Sequence, residues 1–328
     1  MKDSLRLRHD DSYERKLDGA RVMVTGATGF LGKHVVADLE AAGVVVLPVS
    51  RSLGIDLRSE DQTDRVILRL RPDAVIHLAA TCGGIGANMA RPGTFFRDNM
   101  LMGMNVVHAA AAAGTRLISV GTICSYPKHC PIPFSEEDFW DGYPEPTNAP
   151  YGIAKKALFV MMRAYREQFG LSYAYLVPVN LYGPNDHFED SVSHVVPAMI
   201  KRFIEAREKS LSQVSCWGTG QATRSFLFVK DASKAIVRAC ARLDYDDIVN
   251  VSGTEETSMA DLAETIAHLV DYRGQITWDR SKPDGQPRRM VDGARAKALL
   301  NWVPETSLEE GLRSTVGWYS SQRKHLQS

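Results

Sequence analysis

At 328 residues the chain has room for one large domain or two closely joined ones with a full buried core. Its 39 Lys and Arg balance 39 Asp and Glu, which excludes a global field drawing it onto nucleic acid or an anionic membrane; an anionic ligand must be held by a few local cations. Five cysteines (Cys82, Cys124, Cys130, Cys216, Cys240) without a C-x-x-C pair, no signal-peptide pattern and no bilayer-length apolar run lead to the expectation of a reduced cytoplasmic protein without a metal site.

Residues 1–19 are crowded with charge and are expected to form a flexible leader. Arg21–Thr25 is a short apolar run of the kind found in a strand buried on both faces. It enters Gly26-Ala27-Thr28-Gly29-Phe30-Leu31-Gly32 and then a helical stretch from Lys33 to Ala42. Glycines at a strand–helix junction permit a tight turn, admit a pyrophosphate to the backbone and let the helix pack closely on the strand. The helix N-terminus adds an attraction for negative charge. The G-x-x-G-x-x-G spacing therefore predicts a dinucleotide site. Val44–Val49 reads as the next strand, and after it Ser50 and Arg51 stand where an acidic residue would bind the ribose of NAD. They suit the 2′-phosphate of NADP(H), with NAD left open. Asp56 and Leu57 follow and are expected at the adenine edge.

Ala74–Ala80 is a third apolar strand. Its Leu78-Ala79-Ala80 end and the glycine-rich loop Thr81–Gly86 are small enough to approach a cofactor or substrate closely. His77, inside the strand, is expected to be a hydrogen-bonded core histidine. Phe95–Ala113 reads as one long helix and Arg116–Val120 as a fourth strand. Open parallel sheets bind ligands beyond the carboxyl ends of their strands, so Thr122 and Cys124 belong beside the site. Tyr151-x-x-x-Lys155 opens a helix that runs to about Phe169, and the two side chains share one face of it. An ammonium near a phenol favours phenolate, so Lys155 is expected to lower Tyr151 from the ordinary value of about 10. Such a pair is a proton shuttle for hydride chemistry at a carbon–oxygen bond. Tyr173–Val179 is a further strand. The repeated alternation predicts an α/β fold built on a Rossmann-type doubly wound parallel sheet.

From Asp186 the pattern changes. It divides the chain into a dinucleotide-binding domain over 20–185 and a smaller C-terminal α/β substrate domain over 186–328, with a strand near 248–252 returning to the main sheet. Helices are expected over Val195–Glu208, Ala232–Leu243, Ser258–Val270 and Ser307–Ser320, the third capped by Ser258 with an aspartate three residues on. Val214–Gly220 reads as a short strand and turn. Ser281–Arg289 reads as irregular and basic, a source of cations for a phosphorylated ligand.

Three features together resemble the extended short-chain dehydrogenase/reductases, the NAD-dependent epimerase/dehydratase family that acts on nucleotide-diphosphate sugars. They are the glycine turn, Thr122 ahead of Tyr151-x-x-x-Lys155, and Arg224-x-Phe-x-x-Val-x-Asp231. Longer strings narrow the likeness, over about residues 20 to 320, to the GDP-L-fucose synthases, which are GDP-4-keto-6-deoxymannose 3,5-epimerase/4-reductases. These strings are Cys124–Lys128, Glu145–Lys155, Asn180–Asn185, Ser193–Ala198, Trp217–Gly220 and Ser281–Gly285. The resemblance implies hydride transfer by Thr122 (in place of the usual serine), Tyr151 and Lys155. It implies epimerisation by Cys124 and His194 as base and acid. It further implies that Arg224 and Lys282 hold the phosphates of a GDP-sugar, that Arg202 is a substrate-side cation, that Asn180 and Trp217 lie along the substrate, and that the protein is a homodimer. Two positions depart from the family pattern. Ala27-Thr28 stands where an arginine is frequent, and Ser125 stands where an apolar residue is usual and is expected to alter substrate fit. The same triad also serves a redox-neutral 4-epimerase of a hexose or heptose with tightly bound NAD, and a vestigial triad would suit a non-catalytic, cofactor-binding regulatory protein; both readings stay open at this point.

Overall fold

The computed structural model describes residues 17–190, 192–242, 247–282 and 284–327, with side chains described up to 323. The expected leader lies outside this set except for residues 17–19. Those three belong to the fold: Leu17 is buried, and the Gly19 amide donates to the Gly43 carbonyl at 3.0 Å.

Strand β1 (Arg21–Thr25) enters α1 (Phe30–Ala41), and β2 (Val45–Val49) leads through a short 3₁₀ turn to α2 (Glu60–Leu70). β3 (Ala74–His77) is followed by α3 (Ile85–Ala90) and α4 (Pro92–Ala112). Next come β4 (Arg116–Val120), α5 (Ala149–Phe169), β5 (Tyr173–Pro178) and β6 (Asn180–Tyr182). The remainder carries α6 (Val195–Glu208), β7 (Gln213–Trp217), β8 (Thr223–Phe228), α7 (Val229–Arg242) and β9 (Ile248–Val251). It closes with β10 (Glu256–Ser258), α8 (Met259–Leu269), β11 (Gln275–Asp279), β12 (Arg288–Arg289), α9 (Ala294–Leu300) and α10 (Leu308–Gln327). Among the described residues no helix is long and apolar enough to cross a membrane.

Six strands form one sheet in the order β2-β1-β3-β4-β5-β9, and every pairing in it is parallel. The order reverses direction at β1, and helices cover both faces; this is the doubly wound arrangement. Burial on two faces explains the unbroken apolar strands: Val22, Met23, Val24, Val75, Ile76 and Leu176 are all fully buried. Each such side chain contributes about 1.5–3 kcal/mol relative to exposure. Strand β9, from the second half of the chain, pairs Tyr175↔Ile248 through Pro178↔Val251. A second, smaller core gathers Phe203, Ile200, Leu262, Ile266 and Leu312 around β8, which is flanked by β10, β12 and β6.

Three local outcomes differ from the sequence expectations. The long helix begins at Pro92, because a proline in the first turn forfeits no helical hydrogen bond, and a separate α3 precedes it. The glycine loop is thus partly helical, with Gly84 as the extended cap of α3. The helix expected over Ala232–Leu243 begins at Val229, and Leu243 lies outside the described residues. The segment read as irregular contains β12, which pairs Arg288↔Thr223 and Arg289↔Arg224 in parallel with β8.

Candidate active site

One cavity of about 1500 Å³ runs along the carboxyl edge of the main sheet to the second sheet. It is larger than the site of a single small ligand, and its two halves differ in chemistry.

The first half begins at the glycine turn, where Gly26, Thr28, Gly29, Phe30, Leu31 and Gly32 all line the wall. A Cβ on Gly32 would clash with the Gly26 carbonyl, so the approach of α1 to the end of β1 requires glycine there. Gly32→Ala is expected to raise the dinucleotide dissociation constant at least about tenfold, since relieving the overlap displaces the amide cradle by a cost of about 1–3 kcal/mol. Titration of cofactor fluorescence checks this. Thr25 organises the neighbouring wall: its Oγ1 accepts from the Leu78 and Ala79 amides at 3.1 and 3.2 Å and lies 2.9 Å from His77 Nδ1. With both acceptances used, the hydroxyl proton goes to His77. Burial holds that ring down to about 3, so it is a neutral core histidine. Leu78, Ala79 and Ala80 line the cavity beside it.

At the exit of β2, Thr28 Oγ1 and Ser50 Oγ each lie 2.9 Å from Ser52 Oγ. This chain of hydroxyls sits beside the exposed Arg51 on the cavity wall. Asp56 and Leu57 also reach the wall, but Arg58 grips both Asp56 carboxylate oxygens, Nε–Oδ1 at 3.0 Å and Nη2–Oδ2 at 2.6 Å. These hydrogen bonds hold the Asp56 carboxyl down to about 2. Three hydroxyls and a guanidinium make a donor set that fits a 2′-phosphate, and among the described residues no carboxylate at this exit is left to take a ribose diol. Ser52 is a contributor that sequence reasoning missed; its only sequence signal is its place next to Ser50-Arg51.

At the centre, Thr122 caps a 3₁₀ turn by accepting from the Cys124 amide at 3.2 Å. Tyr151 stands in the first turn of α5, its ring edge-on to Phe95 at 6.5 Å. Lys155 is buried, and its Nζ donates to the Val120 carbonyl at 3.1 Å. Burial pushes Lys155 down to about 8. Burial also pushes the Tyr151 phenol well above its ordinary value, opposed by the Thr122 hydrogen bond. The phenol is therefore displaced upward, opposite to the direction expected, because desolvation by burial is the largest cause. Ser125, the polar departure, is fully buried and donates to the Gly152 carbonyl at 2.9 Å, so it holds α5 and is not a contact for substrate. A Cβ on Gly152 would clash with the Cys124 carbonyl; this close approach sets the turn that presents the thiol.

The second half is cationic. Arg289 Nη1 donates to Cys124 Sγ at 3.6 Å, and its Nε donates to Gln286 Oε1 at 3.2 Å. Arg224 donates to the Thr223 and Asp284 carbonyls at 2.7 and 3.0 Å; burial, then the charge of Arg289, hold it down to about 10. Both guanidiniums are buried and line the cavity, and among the described residues no carboxylate bridges either. Arg202, tied to the Ser215 carbonyl at 2.7 Å, and Asn180, tied to Ser225, complete this side with Trp217. His194 lies on the same wall at the start of α6. Lys282 is not brought to the wall: it is exposed, with its Nζ 5.6 Å from the Trp217 ring centroid. Arg289, only part of a basic stretch in the sequence, lines the cavity instead. Among the described residues no group of three or more His, Cys, Asp or Glu is disposed to hold a metal ion.

A doubly wound sheet with a glycine turn and a Thr-Tyr-Lys group at the exit of its fourth strand defines a dinucleotide-binding protein of the short-chain dehydrogenase/reductase type. The family model for the NAD dependent epimerase/dehydratase family matches residues 22–252, and the chain belongs to that family. It is 38% identical over 297 residues to a GDP-L-fucose synthase of Sinorhizobium fredii, covering 90% of this chain and 94% of the relative. A GDP-L-fucose synthase of Escherichia coli is 36% identical over 310 residues, with 91% and 96% covered. Among solved structures, a GDP-L-fucose synthetase from Naegleria fowleri bound to NADP superposes with a TM-score of 0.85 at 27% identity, covering 93% of this chain and 94% of that one.

Proposed function

We propose that the protein is a nucleotide-diphosphate-sugar epimerase/reductase that takes a GDP-4-keto-6-deoxyhexose, inverts C3 and C5, and reduces C4 with NADPH. The observation that carries this reading is the Cys124 thiol, set against the Arg289 guanidinium and sharing one cavity with His194 and with Tyr151 and Lys155. A redox-neutral 4-epimerase needs the tyrosine and the lysine but has no task for a thiol and an imidazole. The GDP-L-fucose synthases of similar sequence support the substrate class, and the hydroxyl chain with Arg51 supports NADP(H) over NAD.

A ketone at C4 acidifies the protons on C3 and C5. Cys124, as thiolate beside Arg289, takes the proton from one face, and the resulting enolate is protonated on carbon from the other face by the His194 imidazolium. Arg224, Arg289 and Arg202 hold the diphosphate and fix the sugar between these walls. Bound NADPH supplies the hydride for C4. Tyr151 then protonates the developing alkoxide, ordered by Thr122, while the Lys155 charge favours the phenolate left behind. Two further elements of the proposal are a cytoplasmic setting, which the five free cysteines support, and a homodimer, supported by Phe96 and Met104 of α4 and Val160 of α5, which are exposed apolar residues on adjoining helices.

NADPH oxidation with GDP-4-keto-6-deoxymannose in deuterated water tests the reading. Stoichiometric oxidation with deuterium entering C3 and C5 is the expected result. Tightly held NAD and redox-neutral turnover of a 4-hydroxy nucleotide sugar would overturn it.

A further inference from the structure

At the start of α6 two neighbouring side chains, Asp186 and His194, each carry a buried polar atom without a hydrogen-bond partner. Asp186, just after β6, has a side chain with no solvent exposure. Its Oδ1 accepts from the His187 amide at 2.7 Å, while its Oδ2 has no hydrogen-bond partner. His194 Nδ1 is also buried and without a partner, and it lies 3.9 Å from Asp186 Oδ1. Leaving either group unpaired in the interior is unfavourable, most of all for a carboxylate, so a small rotation that joins them is favoured.

The surroundings restrict which partner can move. The backbone that carries His194 is anchored, because the Gly84 amide donates to the Val192 carbonyl at 3.2 Å and the Ala198 amide to the His194 carbonyl at 3.1 Å. The imidazole itself is free to turn, its side chain being 41% exposed towards the cavity. The neighbouring His187 ring is turned to Glu189, 3.8 Å away, and does not compete for the carboxylate.

We propose that Asp186 is the positioning residue for His194: its buried carboxylate accepts the Nδ1 proton and thereby presents Nε2–H to the sugar. The pair sets the tautomer of the ring. When the imidazolium gives its Nε2 proton to the enolate carbon, a C–H bond forms, an N–H bond breaks, and the ring is left neutral with its proton on Nδ1. The Asp186 side chain accepts the Nδ1 proton before and after the transfer and so keeps the ring in one tautomer and one orientation. Asp186 does not touch the sugar.

This inference rests on the epimerase reading above, and the test separates the two. ¹⁵N NMR of histidine-labelled protein reads the His194 tautomer without any substrate. The expected result is an Nδ1-protonated ring that shifts towards Nε2 protonation in Asp186→Asn, assigned with His194→Gln. An unchanged tautomer would overturn the proposal whatever the substrate proves to be. With GDP-4-keto-6-deoxymannose, Asp186→Asn is expected to lower the rate of deuterium entry about a hundredfold, with KM for the sugar nucleotide held within about twofold and the thermal midpoint unchanged. An exchange rate within about twofold of the native protein would also overturn it, whereas an inactive native protein with the tautomer shift intact would count against the epimerase reading alone.

Discussion

Tyr151→Phe is expected to lower kcat for NADPH oxidation by about 10²–10⁴-fold, with little change in cofactor affinity. The ring keeps its edge-on contact with Phe95, so the loss isolates the hydroxyl that protonates the C4 oxygen. Burial holds this phenol well above its ordinary value, which keeps it a proton donor through the neutral range. Deuterium entry at C3 and C5, which uses other groups, is expected to persist in the variant. Single-turnover absorbance at the reduced nicotinamide together with NMR of the recovered sugar reads both steps; substantial turnover by the phenylalanine variant would remove Tyr151 from the chemistry. Lys155 adds a pH signature. Burial lowers it to about 8, so its ammonium is present at pH 7 and is lost as pH rises through that value. The reductive step is accordingly expected to slow on the alkaline side, measurable as kcat/KM against pH.

The second large effect is expected of Cys124→Ser, which should reduce deuterium entry by about 10²–10⁴-fold. A serine hydroxyl preserves the size of the side chain, but it ionises far less readily than a thiol and cannot act as the same base. Arg289→Met is expected to act in the same direction and also to weaken sugar-nucleotide binding, because one guanidinium serves both the thiol and the cationic wall. The comparison of the two variants, by exchange rate and by KM, separates the roles. Full activity in Cys124→Ser would remove the epimerising base from the proposal.

How much of this was legible beforehand depended on whether the signal was local. The parallel sheet was readable because strands buried on both faces must be apolar throughout, as Val22–Val24 and Val75–Ile76 are. The glycine turn was readable because its requirement is carried by neighbours: Gly32 must lack a Cβ on account of Gly26, only six positions earlier. The Tyr151–Lys155 pair was readable from helical spacing, yet the sign of its electrostatics was not, since burial is a property of everything packed around the phenol. Ser125 had the same limitation. Its polarity was evident, but only its bond to the Gly152 carbonyl assigns it to packing.

By itself, then, the sequence determined the doubly wound sheet and the dinucleotide turn, and set Thr122 beyond the fourth strand and Tyr151 with Lys155 on one helix face, because each follows from periodicity or short-range spacing; the roles of these three are implied by the family resemblance. The tertiary structure alone decided which cations face the site. Lys282 and Arg289 belong to one basic stretch, and nothing in their order ranks them. Parallel pairing of β12 with β8 sets Arg289 across from Arg224 and against the Cys124 thiol, while Lys282 is left exposed over Trp217. Strand register is a long-range contact, and a choice made by register is made only when the chain has folded.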